Sequence, residues 1–190
     1  MAWTSHANSI DPNMSQTPGK PPLTLDVLRI LADWAASCAE RSLPIFESES
    51  PLDLRPQEAL VSTRIFAQGG PRTAHLRQVA WASLAASKET VHPAASAAAR
   101  AAGLAAATAY THPIASSHQV NHIVSPIAYS AHAIALQAGT QSAAIPEIEW
   151  AIQHVPGEVR QLVRHLPARR PGKGPLAYLC AQIEASLRSP

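Results

Sequence analysis

Apolar residues recur along this chain at three- and four-residue intervals, the spacing that gathers them on one face of an α-helix. The first run is Val27, Leu31, Trp34 and Cys38. Thr24 precedes it as a capping residue, and Asp26 stands where the helix dipole favours an acid. Pro44 ends or kinks this helix, and Glu47 to Arg55, with Pro51 inside it, reads as a turn-rich connector. Pro56 suits the first turn of a second helix, which stops at Gly69-Gly70. Pro71 opens a third, with Leu76, Val79, Ala80 and Leu84 on one face, and this helix breaks near Val91 to Pro93. From Ala94 to Tyr110 almost every residue is small. Alanine is the strongest helix former and lets helix axes approach closely, so this stretch is expected as a central packed helix. After a break at Thr111 to Pro113, a long fifth helix should run to about Ala138 and stop at Gly139. A sixth starts at Pro146, carries Trp150, Ile152 and Val155, bends at Pro156-Gly157 and resumes through Val159 and Val163. A short last helix spans Leu176 to Leu187.

No alternation of period two is long enough for a paired strand. The expected fold is therefore all-α: one irregular bundle of about six to seven helices with an alanine-rich core. Residues 1 to 22 mix Ser, Asn, Pro and Gly without periodicity and are expected to form a disordered arm, leaving 23 to 190 as a single helical domain. The chain is 46% hydrophobic but only 5% aromatic, so thin side chains must do much of the packing. Trp3, Trp34, Trp81 and Trp150 stand singly on different segments and read as core anchors.

Charge and cysteine content narrow the partners. A net charge of +2 arises from scattered Lys and Arg, with no basic stripe to neutralise a row of phosphates, so nucleic acid is not expected. The densest basic stretch, Arg160, Arg164, Arg169, Arg170 and Lys173, reads as a solvated helix end and tail. Cys38 and Cys180 are too few for a disulfide framework, and Met1 to Lys20 lacks the apolar segment of a signal peptide. No apolar run is long enough to cross a bilayer. These features point to a cytoplasmic protein with no membrane contact.

The fifth helix holds the densest titratable cluster. His118 and His122 are four residues apart and so stack on one face, Tyr129 lies two turns further along that stripe, and His132 follows it. Pro126 has no N–H to offer the carbonyl of His122, which leaves an acceptor free beside the imidazoles. Two histidines at this spacing can ligate zinc, but the intervening Glu of a zinc-protease helix is missing and His112 is the one extra nitrogen ligand nearby, so no metal and no cofactor are expected. His118 or His122 with Tyr129 could serve as general acid or base. The simplest alternative is that these side chains hydrogen-bond neighbouring helices in the core. A second polar group consists of Glu40 and Arg41 with Glu47, Asp53 and Arg55; these would pair with one another and with helix ends, or form an ionic rim. No Gly-rich phosphate loop, CxxC pair or nucleophile elbow is present.

These residues carry a family resemblance. The stretch LADWAASCAERSLPIFE, Leu31 to Glu47, then Asp53-Leu-Arg-Pro56, resembles the opening of a family of small helical immunity proteins, the immunity-protein-five-like domain. The alanine-rich middle, His118-x-x-x-His122 with Tyr129, and Glu149-Trp150 before Pro156 continue the likeness over about residues 25 to 167. It implies a cytoplasmic all-α protein that binds a toxin-like protein partner and neutralises it by occlusion. Relatives in secondary-metabolite gene clusters imply, as the alternative, an enzyme or accessory protein acting on a small molecule, with His118, His122 and Tyr129 lining its pocket. A homo-oligomer is compatible with either. The family pattern has His within the small-residue stretch, where this chain carries Leu104 or Tyr110, and Lys where His132 stands.

Overall fold

A computed structural model describes residues 21–189. Most of the expected arm, residues 1–20, lies outside the described residues, as does Trp3. Among the described residues the chain forms α-helices and short 3₁₀ turns, with no strand.

Side-chain caps or first-turn prolines mark most helix starts. Thr24 caps α1 (Leu25–Glu40), its hydroxyl accepting from the Val27 N–H at 3.2 Å. Prolines occupy the first turns of α2 (Leu43–Glu49), α3 (Arg55–Ala67) and α5 (Pro93–Ala107), where a missing N–H costs no helix bond. Helix α4 (Ala74–Glu89) is capped by Thr73, so Pro71 precedes it and does not open it. A 3₁₀ turn, Thr108–Tyr110, follows α5. Helix α6 (Ser117–Ala138) runs unbroken through the buried Pro126 and stops at Gly139, whose φ of +69° few other residues adopt. Another 3₁₀ turn, Gln141–Ala143, leads into α7 (Ala144–Gln153), which is followed by α8 (Gly157–His165) and α9 (Pro175–Arg188).

The described residues hold nine α-helices where six to seven were expected, and proline accounts for both differences. Pro44 starts a helix of its own instead of kinking α1, so that much of the expected connector, to Glu49, is helical. Pro156 separates α7 from α8 outright, since the residue before a proline is pushed out of helical geometry.

The interior is filled in two ways. On one side α6 lays Val120, Ile123, Val124 and Ile127 against Leu31 and Trp34 of α1, Ile148 of α7, Val159, Leu162 and Val163 of α8, and Leu179, Ile183 and Leu187 of α9. On the other side α5 packs almost entirely through alanine: Ala95, Ala98, Ala99, Ala101, Ala102 and Ala105 have no exposed surface. Opposite them lie Ala35, Ala36 and Ala39 of α1, Ala86 of α4 and Ala133 of α6, with Phe46 and Leu60 filling the edges. The crossing of α4 and α5 leaves no space at Gly103: a Cβ there would lie 2.9 Å from the Ala80 carbonyl oxygen and 2.9 Å from Leu84 Cγ. Two buried bonds tie α1 to the aliphatic side, Trp34 Nε1–H donating to the Ala151 carbonyl at 3.0 Å and the Ser130 hydroxyl to the Cys38 carbonyl at 2.7 Å.

Candidate functional site

The close packing of α5 against α4 and α6 positions the histidine row. His118 is exposed and His122 half-buried; their rings meet edge to face with centroids 4.9 Å apart. Among the described residues neither imidazole makes a hydrogen bond, so His122 opens onto space instead of locking to a neighbouring helix. That space is a cleft of about 390 Å³ whose walls include Trp81 and Leu84 of α4, Leu104 of α5, Tyr110, His112 and His122. Burial in this setting holds the His122 imidazolium below the ordinary histidine value of 6.5, and the neighbouring His118 and His112 push in the same direction. His112 is exposed, its backbone N–H held by the Gln119 side-chain oxygen at 3.0 Å.

The rest of the row lies elsewhere. Tyr129 is half-buried against the alanines of α1 and α5, and the Arg100 guanidinium sits 5.2 Å from its ring centroid. His132 has a buried Nδ1 with no partner among the described residues, and burial lowers its pKa as well. The row thus divides into a histidine cluster at the cleft and, about two turns further along α6, Tyr129 with Arg100 beside it and His132. Among the described residues no set of three or more His, Cys, Asp or Glu side chains is arranged to hold a metal ion. Burial pushes the Cys38 thiol up to about 12 and raises Cys180 too, which disfavours the thiolate form at both.

The second polar group is divided: Glu40, Asp53 and Arg55 gather at the flank and the N-terminal end of α3, while Arg41 and Glu47 lie elsewhere. Arg64 on α3 binds Glu40 at 2.5 Å and Asp33 at 2.6 Å, both on α1. Arg55 grips Asp53 with Nε–H and Nη2–H at 2.8 and 2.7 Å, and reaches Glu89 of α4 at 2.5 Å. The guanidinium hydrogen bonds hold the Asp53 carboxyl below the usual carboxylate range and do the same for Glu89. Arg41 pairs with Glu147 and lies 4.5 Å from the Trp150 ring centroid. Glu47, read with this group, is half-buried on α2. Between these ion pairs α3 exposes Val61 and Ile65, with Leu52 and Leu54 just ahead of its first turn.

Two readings from the sequence change here. Trp81 is not a core anchor: it is 66% exposed at the mouth of the cleft, while Trp34 is buried and Trp150 half-buried against His154. Part of the basic stretch is also tied down. Arg160 donates to the Ile152 and Ser186 carbonyls, Arg164 to the Ser189 carbonyl, and Arg169 to Asn121 and, through its backbone N–H, Glu184. Arg170 and Lys173 are exposed as expected. Arg77 and Trp81 were legible as a pair at i and i+4 on α4, away from its buried face; Tyr110 lies in a 3₁₀ turn that no periodicity marks.

The described residues thus form a closely packed all-α body with a small cleft and an α3 face edged by ion pairs, and none of their helices is long and apolar enough to cross a membrane. Residues 23–158 match the family described as Imm-5 like putative immunity protein, and the chain belongs to that family. Its role is thereby an immunity-like one in general, with a protein as the kind of partner the family implies. No curated protein and no solved structure matches it.

Proposed function

We propose that this protein is an immunity-type binder that neutralises a toxin-like protein by covering it, with the outer face of α3 as the contact. The observation that carries this reading is that α3, beside its buried inner side, exposes two apolar residues one turn apart. Its inner side buries Ala59, Leu60, Thr63 and Phe66, whereas Val61 and Ile65 point outward at 54% and 56% exposure. A monomer gains nothing by exposing such a stripe, and contiguous exposed apolar surface marks interaction sites. The surrounding pairs, Glu40 with Arg64 and Asp53 with Arg55 and Glu89, supply the polar rim that protein interfaces place around an apolar centre. Because those charges are already paired, they fix orientation without presenting a naked charge to be buried. Occlusion needs no reacting group, and α3 offers none.

Co-expression with the product of the gene adjacent to its own is the direct test. Rescue of growth by this chain, with a stoichiometric complex on size-exclusion chromatography, is the expected result. The double variant Val61→Asp, Ile65→Asp should keep its helical circular dichroism and lose both. Growth arrest unaffected by the unaltered chain, with no complex, would overturn the reading.

A further inference from the structure

Two arginines approach the Tyr110 ring. The guanidinium carbon of Arg77 lies 4.5 Å from its ring centroid and that of Arg72 5.7 Å, while the phenol donates to the Thr73 carbonyl at 2.6 Å and so fixes the ring. Arg72 is held in turn by the Ala109 carbonyl at 3.1 Å. Two hollows meet along this ring and share Arg77, Tyr110 and His112. One is the apolar cleft already described, with Trp81, Leu84 and Leu104 as its wall. The other, of about 600 Å³, adds Arg72 and the side chains of Leu23 and Leu28.

Arginines among the described residues fall into those with a carboxylate partner and those, such as Arg160, Arg164 and Arg170, without one, and the two beside Tyr110 belong to the second group. Arg29, Arg41, Arg55, Arg64 and Arg188 each have a carboxylate partner. Among the described residues Arg72 and Arg77 have none, and no Asp or Glu lines either hollow. The first turn of α4, which borders the groove, also lacks an acid, so the helix dipole adds to the positive field. A forked guanidinium stacked on an aromatic ring keeps its outward N–H groups aimed and free, the geometry that receives a carboxylate through two parallel hydrogen bonds. The adjoining wall offers hydrocarbon and indole surface instead of further polar groups. Both volumes fall in the range of small-molecule sites, roughly 300–1,000 Å³.

We propose that this groove binds an amphiphilic monocarboxylate, a small free acid whose carboxylate lies on Arg77, with the Arg72 charge nearby, and whose apolar body rests against Trp81, Leu84 and Leu104. The site is separate from the α3 face and does not depend on the partner docking there. His122 borders the apolar body, and His112 lines both hollows beside Arg77 and Tyr110.

Calorimetric titration of the full chain with three probes tests the assignment: octanoate, octanamide, and an acetylated Gly-Gly-Leu peptide with a free C-terminal carboxylate. Octanoate should bind saturably at one site, at least tenfold more tightly than octanamide and more tightly than the peptide. Arg77→Gln should weaken octanoate at least tenfold and bring the acid and the amide level; Trp81→Ala should weaken both by the same factor. Arg170→Gln, an exposed arginine outside the groove, should change nothing. Arg72→Gln gives the same reading with a smaller loss should Arg77→Gln fail to fold, as judged by circular dichroism. Absence of saturation, equal affinity for octanoate and octanamide, or octanoate affinity indifferent to both arginine changes would overturn the proposal. Tighter binding of the peptide would overturn its assignment to a free acid.

Discussion

The two sides of the bundle reach the same tight interior by opposite routes. On the α6 to α9 side, branched aliphatic side chains such as Ile123, Leu162 and Ile183 reach across ordinary helix separations. Along α5, alanine and Gly103 bring backbones so near that little side chain remains to be packed. The aliphatic side can be weakened by removing atoms, because each large side chain fills space its neighbours cannot close. The alanine side can be weakened chiefly by adding them, because there is almost nothing to remove and no slack to receive more.

The largest effect should come from truncating the aliphatic side. Ile183→Ala is expected to lower the unfolding free energy in urea by about 2–5 kcal/mol. The mirror-image change, Ala98→Leu in the alanine seam, should cost about 1–3 kcal/mol by overpacking, whereas Ala98→Gly should cost only about 1 kcal/mol, the ordinary helix-propensity difference. Equal stability of Ala98→Leu and the unaltered chain would show that the seam has room and would abolish the contrast. Gly103→Ala sharpens it further. Helix propensity alone favours alanine by about 1 kcal/mol, yet the contact with the Ala80 carbonyl should make the variant less stable. Trp34→Phe, which removes the indole N–H that caps the Ala151 carbonyl near the end of α7, should cost about 1 kcal/mol on denaturant unfolding.

The smallest effect is one of pH, and it belongs to the α5–α6 side. His122 and His132 both have pKa values held below 6.5 by burial. Their unfolded forms take up a proton near that value while the folded forms do not. Unfolding therefore binds protons as the pH drops below about 6.5, and stability falls over that interval down to the folded pKa values. Above 6.5 both states are neutral at these sites and stability should be flat with respect to them. The double variant His122→Gln, His132→Gln should flatten the acid slope; an unchanged slope would show that other groups set it.

Local chemistry made much of the fold readable. Thr24, Pro56, Pro93 and Gly139 each do at a helix end what their backbone chemistry dictates, whatever the tertiary context. Pro44 was ambiguous because the property that bars proline from a helix interior also suits it to a first turn; only the burial of Phe46 two residues on shows which applies. The contact of His118 with His122 follows from spacing along one helix, so it too was legible. Division of the row between a cleft and the Arg100 group was not, since it depends on where α4 and α5 cross it. Trp81 misled for a physical reason: indole is buried more often than not, and that tendency outweighed its place off the Leu76, Val79, Ala80 face. The pairing of Tyr110 with Arg72 and Arg77 joins residues across a helix and a turn, which no local pattern encodes.

The last two helices have a modular consequence for this chain. Val159, Leu162 and Val163 of α8 and Leu179, Ile183 and Leu187 of α9 close the aliphatic core over α6. Without them the framework of α1 to α7 would carry an open hydrophobic flank, so α8 and α9 are the cover of this core and not an appendage to it.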